Sequence, residues 1–538
     1  MSDSKRRNRY LLIPVPPTPN GRLHLGHMAG PYLRMDMLRR SLEQDGHEAE
    51  LWTGTDSHDS FVLYRAYLSK ATPAEVCHKF HPLIETDMRA LNIKVDGFVD
   101  TLSAEGRQLQ EDHAVEAVDL LLASGFASKR SEDILYDEVH QFPVVGTWLA
   151  GRCPKCGSQC VGYFCEGCFT HNQPAELRHG ESRMPGGTIS NRTVESIFLE
   201  IPDAAAHLEL LEKMRVLPAA IEVVRKMLTP PVRNFRLTVP IDWGLTYEAD
   251  RYAHSHSIFE VLWELYTYSE MQASRSPGIV PAWRADSDTK VIVACGVDNT
   301  IALLMGCVGV YHNLPGAKSP EHIHINYFVN LEGSKFSTNR NHAIWANDLA
   351  EICEGHVDGI RLYLARISPE EGSTNFDIDE FVSYYNDFYI HELIGKINAA
   401  LSRLDTQVQA SPAHVAEINT QREQLLEHLA PEHIKVSSAI QIFEQWIASA
   451  SSSASRSDSI SDSTPSTEYW WLKGIALLGY PFAPDLCTRI WHLLGHQGLP
   501  SFKDFSDIQE IPEDLPRSVP TPRPVSSSAA RKLVGRPL

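Results

Sequence analysis

The sequence predicts an α/β protein: a doubly wound parallel sheet, broken by a zinc-knuckle insertion and followed by a C-terminal α-helical bundle. Three observations predict it. Tyr10-Leu11-Leu12-Ile13, near the start, and Val291-Ile-Val-Ala-Cys295, far along the chain, are short apolar runs of the kind that form strands buried on both faces. Segments of helical apolar period lie between such runs, and strands joined through helices imply a parallel sheet with ligands at its carboxyl edge. Between the two halves stands Cys153-Pro-Lys-Cys156 followed by Cys165-Glu-Gly-Cys168, a C-x2-C-x8-C-x2-C spacing. Two such thiolate hairpins can close a tetrahedral zinc site, and four thiolates leave no open position for chemistry.

The elements follow in order. After the first strand a Pro/Asn/Gly turn breaks the chain. Leu23, Gly26, Leu33, Met37 and Leu38 then recur at roughly helical spacing. A strand, a turn and a helix N-terminus make a natural phosphate site, because free backbone N–H groups and the helix dipole face the anion. Glu48–Trp52 is a second strand leading into Gly54-Thr55-Asp56. Residues 1–120 and 246–345 form the nucleotide-binding domain, and 121–245 form an insertion carrying the knuckle at 153–168. Asn326-Tyr-Phe-Val329 reads as a strand before a Gly-containing, mobile loop with Lys335. From 346 to 510 the period is helical, except for a Ser/Asp-rich stretch at 450–468 expected to be a disordered loop. Residues 511–538, rich in Pro, Ser and Arg, are expected to be a disordered tail.

Composition bounds the function. The 538 residues allow three or four domains, and 43% hydrophobic residues allow sizeable cores. No apolar run reaches the ~18–20 residues of a membrane span. The N-terminal Met-Ser-Asp-Ser-Lys-Arg-Arg lacks a signal-peptide stretch, so a cytoplasmic protein is expected. A net charge of −19 argues against general nucleic-acid affinity, although a local basic patch would serve for tRNA. Five of the ten cysteines cluster around the knuckle, which argues against a disulfide scaffold.

Two separated segments carry the chemistry. The first is Pro16-Pro17-Thr18-Pro19-Asn20-Gly21-Arg22-Leu23-His24-Leu25-Gly26-His27. His24 and His27, three apart, share a helix face and can donate to phosphate oxygens, while Gly26 allows close approach. The second is Gly333-Ser334-Lys335-Phe336-Ser337-Thr338-Asn339. Together, in this order, they resemble the two ATP-binding signatures of class I aminoacyl-tRNA synthetases, and their flanks resemble methionyl-tRNA synthetase over about residues 8–500. The resemblance implies ATP, Mg²⁺ and structural Zn²⁺ as cofactors. It implies catalytic roles for His24, His27 and Lys335, and ATP contacts from Pro17, Asn20, Gly26, Gly296, Asp298 and Ser337. Asp56, in Thr-Gly-Thr-Asp-Ser-His, matches the carboxylate that pairs with the substrate ammonium group. Asp298, in Cys-Gly-Val-Asp, matches the ribose-binding acid.

The departures from the family are concentrated. Its usual Lys-Met/Phe-Ser-Lys-Ser loop has here lost the second lysine to Thr338 and the last serine to Asn339, with Arg340 as the nearest replacement cation. The positions that read the amino-acid side chain are Val15, Pro16, Val261, Leu265, Tyr268, Ala302 and Leu303, and most differ from the family's aromatic and histidine set. A changed pocket implies a changed amino acid. The positions of the family's anticodon-reading Asn and Arg are Gly395 and Ala399; Asn398 and Arg403 lie nearby but five apart, and Phe502 or Phe505 is the nearest stacking aromatic. From Phe381 onward 17 acidic residues outnumber 13 basic ones, weak ground for tracking phosphates.

These readings place first an amino-acid ligase that forms an aminoacyl-adenylate and transfers it to a small acceptor such as an N-hydroxylated amine. Relatives of this type act in hydrazine-forming biosynthesis, some of them linked to a cupin, so the resemblance also implies a cupin-type partner. The alternative is a methionyl-tRNA synthetase that charges tRNA.

Overall fold

The computed structural model describes residues 7–537 except 163, 169, 231–233, 250–254, 259–260, 338–340, 405–407, 454–464 and 512–515. Its centre is a five-stranded parallel sheet of β1 (Arg9–Pro14), β2 (Glu48–Thr55), β3 (Gly97–Asp100), β4 (Lys290–Gly296) and β5 (His322–Asn326). The spatial order is β5-β4-β1-β2-β3, so the winding direction reverses between β1 and β4. This is the doubly wound arrangement, whose ligand crevice opens where the order reverses. The apolar character of β1 follows from its two covered faces. Leu12 enters one core with the helix α1 (Leu33–Gln44), while Leu11 and Ile13 enter the other with the helices α2 (Ala104–Ser124) and α3 (Val261–Arg275).

The insertion is antiparallel. Ala127–Asp137 pairs with Ile189–Leu199 throughout its length. A smaller sheet of Leu149–Arg152, Gln159–Val161 and Arg178–Ser182 carries the cysteine hairpins. The strand Thr238–Pro240 pairs with Ser255–Ile258, which pairs in turn with Leu245–Ala249, so one sheet crosses the boundary expected at 245–246.

Helices fill the C-terminal part and are bolted to the sheet by a buried ion pair. Arg361, on the helix Asp358–Arg366, meets Asp36 of α1 at 2.7 Å, with both side chains fully buried. Its other donors reach the carbonyls of Leu91, Pro481 and Phe482. Burial alone would raise the Asp36 carboxyl, but Arg40 and Arg361 outweigh it and hold it at about 2.

Three expectations are corrected. The strand read at 326–329 is two strands, because β5 ends at Asn326 and a separate strand, Val329–Leu331, follows. The stretch 450–468 is helical at both ends, in Val436–Ser453 and Pro465–Gly479, while 454–464 lies outside the described residues. The tail is not loose from 516 onward. It packs back over the helices and the catalytic half, with Val519, Val525, Ala530 and Leu533 buried and a short helix at Ser527–Arg531. Its composition hid this, because the anchors are few and widely spaced among Pro, Ser and Arg.

Candidate active site

The chain leaves β1 at Val15, whose N–H donates to Ala294 O of β4 at 2.8 Å, and turns through Pro16–Gly21. Arg22 fixes the end of that turn through Asp87 at 2.7 Å and Asp348 at 2.8 Å. His24 is the N-cap of the helical turn that follows, and the cap is reciprocal. His24 Nδ1 accepts from His27 N–H and His27 Nδ1 accepts from His24 N–H, both at 3.3 Å. The rings stack with centroids 3.7 Å apart, and Phe336 stacks on His24 from the other motif at 4.6 Å. Burial, then Lys335, pushes the His27 imidazole down to about 4; burial, then His27 and Lys335, pushes His24 well down. Both are neutral near pH 7. With each Nδ1 accepting, the ring proton sits on Nε2, leaving each histidine a donor. A Cβ at Gly26 would press within 3.1 Å of both His24 and Phe336, so the glycine lets the two motifs meet.

Lys335 sits on a tight hairpin. Val329–Leu331 and Ser334–Lys335 are antiparallel, and the two-residue turn holds Glu332 at φ 50° and Gly333 at φ 77°. Two positive φ values mark a type I′ turn, which is demanding for Glu332. That residue is held by its carboxylate, which accepts from Ile378 N–H and pairs with Arg531 of the tail. Lys335 therefore starts from a fixed hairpin rather than a free loop. Ser337 exchanges both backbone hydrogen bonds with His342. Thr338, Asn339 and Arg340 lie outside the described residues.

These elements enclose a cleft of about 580 Å³ at the carboxyl edge of β1, β2 and β4. It brings together Val15, Pro16, Pro17, Asn20, Gly26, His24, His27, Asp56, Val261, Gly296, Asp298, Ala302, Lys335 and Ser337. Leu265, Tyr268 and Leu303 are fully buried and lie behind the wall instead. Asp56 follows β2, its N–H donating to Pro17 O at 3.1 Å, and its Oδ1 is buried without a hydrogen-bond partner. Burial, then Asp59, raises its carboxyl well above the ordinary range. An incoming ammonium group would reverse that shift by pairing with it. A Cβ at Gly296 would lie 2.5 Å from Asp298 Oδ1, so that position needs glycine.

The knuckle reaches this cleft. Cys153 and Cys168 sulfurs lie 3.7 Å apart, and those of Cys156 and Cys165 3.5 Å apart. All four fall within 4.8 Å of one another, and the edge of a tetrahedral Zn–S4 site at 2.3 Å bonds is about 3.8 Å. The four cysteines thus fit a structural divalent ion, while Cys160 turns its sulfur to Phe164 O. Glu166, between the second pair, meets Lys335 Nζ at 2.6 Å.

Sequence reasoning missed Glu166, His58 and Glu264. Glu166 carried one signal, its place inside the second cysteine turn. His58 lines the cleft with both ring nitrogens unpartnered. Glu264 is fully buried on α3, and its only signal was an acid inside an apolar helical run.

Residues 13–404 match the family model described as tRNA synthetases class I (M). The methionine–tRNA ligase of Parabacteroides distasonis is 26% identical over 434 residues, covering 79% of this chain and 63% of that protein. Those of Pyrococcus horikoshii and Roseiflexus sp. are each 25% identical, covering 90% and 94% of this chain and 72% and 90% of their own lengths. Mycobacterium tuberculosis methionyl-tRNA synthetase bound by methionyl-adenylate superposes with a TM-score of 0.68 at 16% identity, covering 96% of this chain and 99% of that one. A second structure of that protein in complex with methionyl-adenylate gives 0.65 at 18%, covering 91% and 94%. These two likenesses are of fold. With the motif pair at the β1/β4 switch point and a family match across most of its length, the chain belongs to the class I aminoacyl-tRNA synthetases of the methionyl type, a family of ATP-dependent ligases.

Proposed function

We propose that this chain condenses an amino acid with ATP in the cleft and passes the activated acyl group to the 3′ end of a tRNA. The observation that carries the first step is the convergence of His24, His27, Asp56, Asp298 and Lys335 on one cleft at the switch point. The amino-acid carboxylate attacks the α-phosphorus in line, the adenylate forms and pyrophosphate leaves, so no side-chain nucleophile is needed. Asp56 takes the α-ammonium group. The Nε2–H groups of His24 and His27 donate to phosphate oxygens. Lys335 offsets charge building on the α-phosphate and the leaving pyrophosphate, and Asp298 accepts from ribose hydroxyls. The activity named for the relatives supports tRNA as acceptor.

A second reading, transfer to a small N-hydroxylated amine, is favoured by one feature of the helix Gly395–Arg403. Asn398 is already occupied by the tail, its Oδ1 accepting from Val519 N–H at 2.7 Å and its amide donating to Val519 O at 3.2 Å. With glycine and alanine at 395 and 399, that helix offers little to read a base. The comparisons lend no support to a cupin-type partner.

Pyrophosphate exchange across all amino acids, followed by charging of total tRNA and of an N-hydroxylated amine, tests both readings. Exchange with tRNA charging is expected. Exchange with transfer only to the amine would sink the tRNA reading, and no exchange with any amino acid would sink both.

A further inference from the structure

Glu264 sits on α3 one turn beyond Val261, whose side chain lines the cleft. It is fully buried, among the described residues no hydrogen bond of good geometry reaches either carboxylate oxygen, and the one polar side chain set against it is Gln110 on α2. Its neighbours make matters worse. Burial first, then Asp56 and Asp59, both of its own sign, raise its proton affinity, against a smaller opposing effect of Gln110. No lysine or arginine pairs with it among the described residues. The hydroxyl of Tyr268, one turn on, is also buried without a hydrogen-bond partner, and the amide of Gln110 on α2 is buried with Glu264 set against it. A Cβ placed at Gly54 would lie 2.9 Å from that hydroxyl, which puts it at the carboxyl end of β2, two residues before Asp56.

Buried polar groups are almost always satisfied, and an unpaired buried carboxylate is among the least favourable groups a fold can hold. Asp59 accounts for itself locally, accepting from Thr18 Oγ1 at 2.7 Å and from Phe61 N–H at 2.9 Å. An α-ammonium group would account for Asp56. Without a cation, burial and its two like-charged neighbours hold Glu264 as the neutral acid. A second ammonium group arriving with the substrate would reverse that protonation and pair with the carboxylate, as the α-ammonium group would at Asp56.

We propose that Glu264, with Tyr268 and Gln110 beside it, determines amino-acid specificity, and that the activated amino acid is a diamino acid whose side-chain ammonium group pairs with Glu264. This rests on the adenylation reading and is independent of the acceptor. Glu264, Tyr268 and Gln110 lie behind the wall that Val261, Val15 and Ala302 present to the cleft, so the side chain that reaches them must pass between those residues. An uncharged thioether or alkyl chain in the same place would leave Glu264 protonated and gain no ion pair from it, which is discrimination by charge rather than by size.

The test compares L-lysine, L-ornithine and L-2,4-diaminobutyrate with L-norleucine and L-methionine, on the whole chain, by pyrophosphate exchange and by calorimetric binding without ATP. One diamino acid should exceed norleucine in kcat/KM, and Glu264→Gln should lower that ratio roughly 10–100-fold, the range for a charge-assisted hydrogen bond. Tyr268→Phe should lower it by a smaller factor while leaving the carboxylate in place. The glutamine variant should unfold no earlier than the parent, since a neutral amide of similar shape replaces a group that burial already keeps neutral. A preference for methionine or norleucine overturns the proposal, as does a preference for a diamino acid that survives Glu264→Gln. Glu264-dependent binding of a diamino acid without exchange upholds this proposal and overturns adenylation.

Discussion

The contact between Glu166 and Lys335 sets the knuckle in competition with ATP for one cation. The pair is 2.6 Å long, with the lysine side chain 30% exposed and the glutamate 62% exposed. A pair so open to solvent is worth about 0.2–1 kcal/mol, a factor of roughly 1.4–5 in an equilibrium constant. Phosphate binding must displace the glutamate before Lys335 can reach it. Glu166→Gln should therefore lower the KM for ATP by up to about fivefold at low salt, with kcat for exchange little changed. The advantage should fade as ionic strength rises, because the Debye length contracts to about 3 Å at 1 M salt. Exchange kinetics at varied ATP and NaCl measure both effects. In a Lys335→Ala background the same substitution should be silent, since the competed group is gone. A rise in KM with Glu166→Gln, or a gain that ignores salt, would show that the glutamate helps to hold the nucleotide and would refute the reasoning.

Other outcomes follow from the same geometry. Lys335→Ala should cost about 10²–10³ in the exchange rate, the usual loss for one preorganised charge-stabilising donor, and a rate near that of the parent would remove the hairpin from the chemistry. Gly296→Ala places a Cβ 2.5 Å from Asp298 Oδ1 and should raise the KM for ATP about tenfold, with smaller change in amino-acid KM. Purified protein should carry one zinc per chain, and chelation should expose the region 146–182 to protease while lowering the KM for ATP in the direction of Glu166→Gln. The folded-state pKa of His27 is depressed to about 4, so the unfolded chain binds more protons below its ordinary value of 6.5. Stability should fall between pH 6.5 and 5 by about 2 kcal/mol on this account, and His27→Gln should flatten that slope in urea titrations.

The half of the cleft built by the His24–His27 segment was legible because its contacts are local. A strand end, a proline turn and a capped helix start are written in consecutive residues, and the capping histidines lie three apart. The doubly wound order was legible for the same reason, since parallel pairing requires helical crossovers that show as changes of period. What escaped was tertiary. Residues 511–538 read as a tail because their composition lacks a continuous apolar face. Yet Gly535 donates to Ala343 O at 3.2 Å, Trp345 donates to Arg536 O at 3.2 Å, and Arg531 reaches Glu332 and Asp379. No period announces single anchors spread over a long stretch.

Glu264 escaped for a different reason, and it bears on what the motifs can and cannot specify. A lone acid in an apolar helical run has an ordinary interpretation as the solvated face of an amphipathic helix. Only burial distinguishes that from an orphaned charge, and burial is set by α2 and β2, far away in sequence. The nucleotide contacts depend on backbone geometry that a short motif preserves. The amino-acid pocket depends on single side chains carried by α3 and the segment after β4, which can change without disturbing that geometry. Adenylate chemistry and amino-acid identity are therefore separable in this fold, and the motif pair constrains only the first. Which amino acid is activated here rests on the residues around Val261 and Glu264, and the pairing proposed at Glu264 is with a charged side chain.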